Sequence, residues 1–531
     1  MKQKPWLASY GAIPHEINPD ACPSLVALFD EGMREHAARP AFTCLGQTLT
    51  YRDVDQQSRA LAAYLQSDLG VGKGDRVAVM LPNLMAFPIA LIAIARIGAI
   101  QVNVNPLYTA RELEHQLSDA GAQTIIVFGG GAATVAEVMP RTAIRQVILV
   151  GAAGQPGIEG AVEFEAALAQ GANLPLEPVA VTGDDLIFLQ YTGGTTGLSK
   201  GAALSHRNLI ANVMQFKAIS PDNLVPGGEV VVTAIPLYHI FALTVNFISF
   251  FSIGAHNWLV PNPRDMGAFI DVLKAARCTV FTGVNTLFAS LTLHPRIGEV
   301  DFSMLRLAAG GGSAIVPATS ERWMALTGVF IREGYGLSET SPVVSFNPPT
   351  INAFNGTTGL PVPSTDVRLL RDDGTDAADG EAGEVCVKGP QVMRGYWNKP
   401  EANAAAFTSD GYFRTGDVGV IDAAGYLKIV DRKKDMIIVS GFNVFPNEIE
   451  AIVSGCDGVA ECACVGVVDG KTGEAVKIYV VKTANAALDA DTLAAYCRER
   501  LTAYKVPKLI EFVDSLPKSA VGKVLRRELR N

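Results

Sequence analysis

The sequence has no excess of positive charge: 44 lysines and arginines stand against 53 acids, for a net charge of −9. Neutralising a phosphate backbone calls for a basic surface, so the expected partners are small molecules and no nucleic acid. A metal cluster is also lacking. Of the 8 cysteines only Cys456, Cys462 and Cys464 lie together, and no histidine stands near them to complete a zinc set, so the thiols are expected to be reduced core residues. No apolar run follows the lysines of MKQKPWLASYGAIPHEINPD, which removes a secretory signal and leads to an expected cytoplasmic location. Internal repeats and low-complexity tracts are missing too, and a chain that is 49% hydrophobic and 18% charged is not disordered. One stretch, IFALTVNFISFFSIGAHNWLV at 240–260, is long enough to span a bilayer and carries no lysine, arginine or acid. Asn246, Gly254, His256 and Asn257 interrupt it, and a buried helix followed by a buried strand fits better.

What is present is an α/β pattern. From Asp75 onward RVAVML, AFPIALIAIARIGA and IQVNVNP read as strand, helix, strand, and TIIVFG and QVILVG are further bare apolar strands. Such runs indicate parallel sheets covered on both faces. The alternation returns at LIFLQY, EVVVTAIP and TVFTGV, so more than one sheet is expected. Between about 356 and 430, VRLL, EVCVKG, GYFRTGDVGVID and GYLKIVD are short strands bounded by turns, a small antiparallel barrel-like element. The charged run DRKKD at 431–435 then separates this from a final segment alternating helix and strand. The expected architecture is a large N-terminal domain (1–431) of two α/β subdomains plus a small antiparallel β-barrel, followed by a small α+β domain (436–531).

YTGGTTGLSKG at 191–201 packs glycines and hydroxyls around Lys200, a composition suited to wrapping backbone N–H groups around phosphate. It is not a P-loop, because Leu198 and Ser199 separate Gly197 from the lysine and Gly201 follows it. Taken alone it could equally be a flexible surface loop. Its companions decide: GYGLSET at 334–340, YFRTGD at 412–417, DRKKD, and PKSAVGKVLRREL at 517–529 follow in order. This series resembles the adenylate-forming enzymes, the superfamily of acyl-CoA synthetases, luciferases and peptide-synthetase adenylation domains, over nearly the whole chain. EINPD, NVNPLYTARELEHQLSDAGA, VVTAIPLYHIFALTVN, NPRD, TGVNTLF, GLPVPSTDVRLL and VSGFNVFPNEIE look most like its bacterial long-chain fatty-acid CoA ligases.

The resemblance implies an ATP-dependent ligase using Mg²⁺ and CoA, which joins a medium-to-long-chain fatty acid to CoA through an acyl-adenylate. An aryl-acid or short/medium-chain CoA ligase is the alternative. Attack of one anion on another requires backbone N–H groups, a lysine and a cation to offset repulsion. Thr192, Gly193, Gly194, Thr195, Thr196, Gly197 and Lys200 would hold the phosphates, with Thr192 and Glu339 toward Mg²⁺ through hard oxygens. Ser338 would donate to the α-phosphate, standing where the family more often has threonine, and Tyr335, between Gly334 and Gly336, would stack near adenine. Asp417 is suited to accept both ribose hydroxyls, or else to cap a turn, and Arg432 aligns with a ribose contact. Gly310, Gly311 and Gly312 would admit a flat group close to the backbone, or simply form a tight turn.

Lys523 matches the family lysine that reaches the carboxylate and α-phosphate during adenylation. The family then rotates its C-terminal domain, with residues 432–435 as the hinge and Lys434 at the pivot, bringing Ser440, Gly441 and Phe442 to the CoA path. His239 would stand where the acyl pocket meets that path, or be a core histidine. Phe241, Leu243, Gly283 and Val284 would line the acyl pocket; Leu243 takes the place of an aromatic gate found in some long-chain members. Peripheral contact with the inner membrane face and a homodimer are left open.

Overall fold

A computed structural model describes residues 4–151, 157–192, 199–220, 223–440, 442–484 and 486–530. Two largely parallel sheets form the bulk of the molecule. The first has seven strands in the order Val162–Glu163, Gln146–Val150, Thr124–Phe128, Arg76–Met80, Ile100–Asn103, Leu186–Thr192 and Lys200–Ser205, and only the last pairing is antiparallel. Its strands are bare Val, Ile and Leu because helices cover them: Ala86–Arg96, buried along its whole length, packs on Tyr51–Ser67.

The second sheet has nine strands, parallel through Ile331–Gly336, Leu307–Gly310, Val280–Gly283, Val230–Thr233, His256–Leu259 and Pro40–Cys44. The 240–260 stretch resolves into a π-helical segment, Ala242–Ser249, and the strand His256–Leu259. Its interrupting asparagines serve the interior. Asn246 donates to Thr233 Oγ1 at 3.0 Å and to Thr282 Oγ1 at 2.8 Å, while Asn257 Nδ2 donates to the Asn246 carbonyl. Among the described residues no helix is long and apolar enough to cross a membrane. All eight cysteines are free thiols.

The expected barrel is instead an open sheet. Asp366–Leu370, Gly383–Lys388, Phe413–Ile421 and Leu427–Arg432 pair antiparallel in chain order, and no closed barrel forms among the described residues. Closure is unnecessary because one face is already covered: Val367, Val385, Val387 and Leu427 pack with Trp6, Tyr10, Val344 and Leu360. A five-stranded C-terminal sheet follows, built on the long hairpin Val459–Asp469 and Gly473–Lys482, and it carries the helix Pro446–Val453. Between the last two sheets lies the turn 433–435, closed by Asp435 N–H donating to the Arg432 carbonyl at 2.9 Å.

Candidate active site

The strands Leu186–Thr192 and Lys200–Ser205 set Thr192 directly opposite Lys200, at the two ends of the glycine-rich loop. Gly193, Gly194, Thr195, Thr196 and Gly197 lie outside the described residues. The free edge of Lys200–Ser205 is covered by the chain at 394–397: Ala203 N–H donates to the Gly395 carbonyl and Trp397 N–H to the Gly201 carbonyl. This edge pairing brings Tyr396 in beside Lys200, whose ammonium stands 5.1 Å from the ring centroid. The Tyr396 hydroxyl donates to Glu339 Oε1 at 2.8 Å. One aromatic ring thus joins the loop lysine to the acid of GYGLSET.

Glu339 sits in the helical turn Ser338–Thr340, which also carries the part-buried Ser338. Glu339 is 8% exposed. Burial raises its carboxyl above the usual range, opposed by the Tyr396 hydrogen bond. Among the described residues no group of three or more acids, histidines or cysteines could cage a metal. Glu339 offers a hard carboxylate oxygen, which suits Mg²⁺ held otherwise by phosphate and water.

Asp417, 5% exposed, lies on Phe413–Ile421 in register with Arg432. The Tyr335 hydroxyl donates to its Oδ2 at 2.7 Å, and Arg432 Nε lies 3.3 Å from Oδ1. A carboxylate has about four acceptor sites, so two remain beyond these contacts among the described residues. Tyr335 is held well above its ordinary pKa by burial and by Asp417, and it stays a donor.

The glycines divide into two kinds. A Cβ on Gly310 would lie 2.7 Å from Ile315, on Gly334 2.7 Å from Phe346, and on Gly336 2.1 Å from the Pro342 carbonyl. These three serve packing of protein on protein. Gly311 and Gly312 are looser, with nearest neighbours at 3.3 and 3.5 Å, and Gly312 has a φ of +76°. Gly283 meets Phe288. Phe241 approaches Gly311, and Val284 approaches Gly312. Leu243 is fully buried within the core cluster that includes Phe247 and Phe251.

The Lys523 loop is brought to the helix Asn285–Thr292 from the far end of the chain. The carbonyl of Gly522 accepts from Thr286 Oγ1 at 2.9 Å, and Thr286 belongs to that helix. Burial and the charge of Arg432 push Lys523 down to about 8, with Asp417 opposing. His239 is pushed down to about 4, by burial and then by Lys523 itself. Its Nδ1 accepts from Phe241 N–H at 3.3 Å, so the neutral ring carries its proton on Nε2. Lys434 is likewise lowered to about 8 by burial and by Arg432. Ser440 and Phe442 make their contacts within the C-terminal unit: Ser440 N–H donates to the Thr472 carbonyl, and Phe442, 56% exposed, stacks on Tyr504. Gly441 lies outside the described residues.

Tyr396 and Thr286 are the contacts the sequence did not single out. MRGYWN has no periodicity of its own, and only its pairing along Lys200–Ser205 gives the tyrosine a place in the site.

Two family models match, AMP-binding enzyme over residues 29–397 and AMP-binding enzyme C-terminal domain over residues 448–523. The long-chain-fatty-acid–CoA ligase of Salmonella typhimurium (strain LT2) is 50% identical over 100% of this chain and 98% of its own. The protein of the same name from Escherichia coli O6:H1 is 49% identical over the same shares. Among solved structures, an anthranilate CoA ligase in complex with anthranoyl-AMP superposes with a TM-score of 0.91 at 25% identity, covering 97% of this chain and 98% of that one. Motif order, site geometry and these likenesses agree, and the chain belongs to the AMP-binding, adenylate-forming enzyme family.

Proposed function

We propose that the protein is an ATP-dependent fatty acyl-CoA ligase. A fatty carboxylate attacks the α-phosphorus of ATP and expels pyrophosphate; the CoA thiol then attacks the adenylate carbonyl and expels AMP. The observation that carries this reading is the docking of the Lys523 loop by Thr286, with Asp417 among the charges acting on the lysine and the lysine's own charge lowering His239. A cation there offsets repulsion between an incoming carboxylate and the α-phosphate. Mg²⁺, when bound to the phosphates, supplies further neutralisation. Asp417 and Arg432 hold the ribose, Tyr335 and the looser glycines Gly311 and Gly312 flank the adenine, and Ser338 faces the α-phosphate. Thr192, Lys200 and Glu339 serve the phosphates and their metal.

The assignment of a fatty acid rests on the named relatives and on the apolar run from Phe241 to Phe251, which offers no lysine or arginine to pair a second carboxylate. Val284 and Phe241 form its mouth beside His239. Residues 1–431 and 436–531 act as two domains about the turn at Lys434. A rotation there withdraws Lys523 and brings Ser440 to Phe442 toward CoA. A cytoplasmic enzyme of this kind would take acids from the inner membrane face; flotation with anionic vesicles reads that contact, and sedimentation velocity reads a homodimer.

Pyrophosphate release across acids from butanoate to octadecanoate, with 4-coumarate and benzoate alongside, tests the substrate. Highest kcat/KM for a medium or long saturated acid supports the reading. A preference for 4-coumarate or benzoate over every saturated acid makes the protein an aryl-acid ligase.

A further inference from the structure

The Lys523 loop is anchored by an ion cluster that crosses the turn 433–435. Asp431, 1% exposed, is on the strand Leu427–Arg432, before the turn. Its carboxylate accepts from Arg432 N–H at 2.8 Å, Asn447 N–H at 2.9 Å and Arg526 Nη1 at 2.9 Å. Arg526, three residues beyond Lys523, turns its other edge to Glu450, with Nε 3.0 Å from Oε1 and Nη2 2.7 Å from Oε2. Asn447 and Glu450 both lie on the helix Pro446–Val453, after the turn. Asn447 also spans the turn, its Nδ2 donating to the Val430 carbonyl at 3.0 Å.

Arg526 thus has one hydrogen-bonded carboxylate on each side of the turn, with Asp435 of the turn itself farther off, 3.9 Å from Nη1. Glu450 belongs to the same C-terminal unit and moves with it. Asp431 belongs to the other side and stays behind. Any rotation about the turn parts Asp431 from Arg526 and Asn447, and parts Thr286 from Gly522, while the bidentate Arg526–Glu450 pair survives. The cost falls on Asp431, whose carboxyl burial already raises and whose chief compensation is Arg526. A pair that only held the C-terminal unit together would not reach across the turn.

Resting on the two-step reading above, we propose that Asp431 is a positioning residue for the first half-reaction: through Arg526 it holds the Lys523 loop in place, and its release accompanies the second. Asp431→Asn keeps the size and an acceptor oxygen but removes the charge. The test compares two reactions of the full chain: the first-turnover pyrophosphate burst from dodecanoate and ATP without CoA, and dodecanoyl-CoA formation from supplied dodecanoyl-adenylate and CoA.

Loss of a charge-assisted hydrogen bond should slow the burst by about tenfold or more in Asp431→Asn. Thioester formation should stay within about twofold of wild type or rise, since the released conformation is favoured. Thr286→Val, which cuts the other anchor, should slow the burst alone, by less, and it decides the matter if Asp431→Asn does not fold. Equal loss of both reactions, or loss of neither, in a variant melting like wild type overturns the proposal. A wild-type protein that releases no pyrophosphate with any acid overturns the functional reading itself, and the positioning role with it.

Discussion

Tyr396 serves two groups with one side chain, its ring under the Lys200 ammonium and its hydroxyl on Glu339. Tyr396→Phe keeps the ring and removes the hydrogen bond. A bond to an ionised acceptor contributes about 1.5–3 kcal/mol, so the Mg²⁺ concentration for half-maximal adenylation should rise about tenfold or more, with a similar rise in the Kd for Mg²⁺–ATP by calorimetry. Unchanged metal dependence would separate Tyr396 from the metal's environment. Lys523 gives a second residue-scale test. The charges of Arg432, Asp417, Arg526 and Asp435 act on it, and its own charge acts on His239. Its pKa is lowered to about 8, so the ammonium is present below that pH and lost above it. If adenylation needs the cation, kcat/KM for the first step should fall as pH rises through about 8, because that constant reports the free enzyme. A profile flat to about pH 9.5 would contradict the role. Glu339, Asp417 and Lys523 were legible as motif members. Tyr396 was not, and Thr286 only as part of TGVNTLF, because the pairings that bring Tyr396 to Lys200–Ser205 and Thr286 to Gly522 are long-range and no local spacing encodes them.

Among elements, the apolar runs announced themselves: the central strands of both large sheets are covered on both faces, and a bare Val, Ile or Leu run is what such burial demands. The four-stranded sheet was harder to read, since turn-bounded alternating strands are compatible with closure or with one covered face. Trp6 and Tyr10, from the start of the chain, lie on that face, and nothing within 356–430 signals it. Glycine was ambiguous in the same way. A triplet such as Gly310–Gly312 looks uniform, yet a Cβ would crowd Ile315 at the first and make only ordinary contact with Val284 at the last. The turn at 433–435 carries the element-scale prediction. Proline fixes φ near −65°, so Lys434→Pro should leave the pyrophosphate burst largely intact and cut thioester formation from supplied adenylate by orders of magnitude. Lys523→Ala should do the reverse. Equal loss of both steps in both variants would remove the rotation from the mechanism.

For the whole molecule, the proposed reaction needs a nucleotide site from the middle of the chain, a lysine from its end and an apolar run in the core. Each methylene buried along such a wall contributes about 0.8 kcal/mol, close to fourfold in affinity. Specificity should therefore climb over several added carbons, within about C8 to C18, and flatten or fall where the wall ends. The central claim is that the carboxylate itself attacks the α-phosphorus, and isotope transfer tests it most directly. With a fatty acid carrying ¹⁸O in both carboxylate oxygens, a single turnover with ATP and CoA should place one labelled oxygen in AMP and none in pyrophosphate, read by mass spectrometry. Label appearing in inorganic phosphate, with ADP as the nucleotide product, or AMP formed without label, would contradict the acyl-adenylate and the assignment of this site.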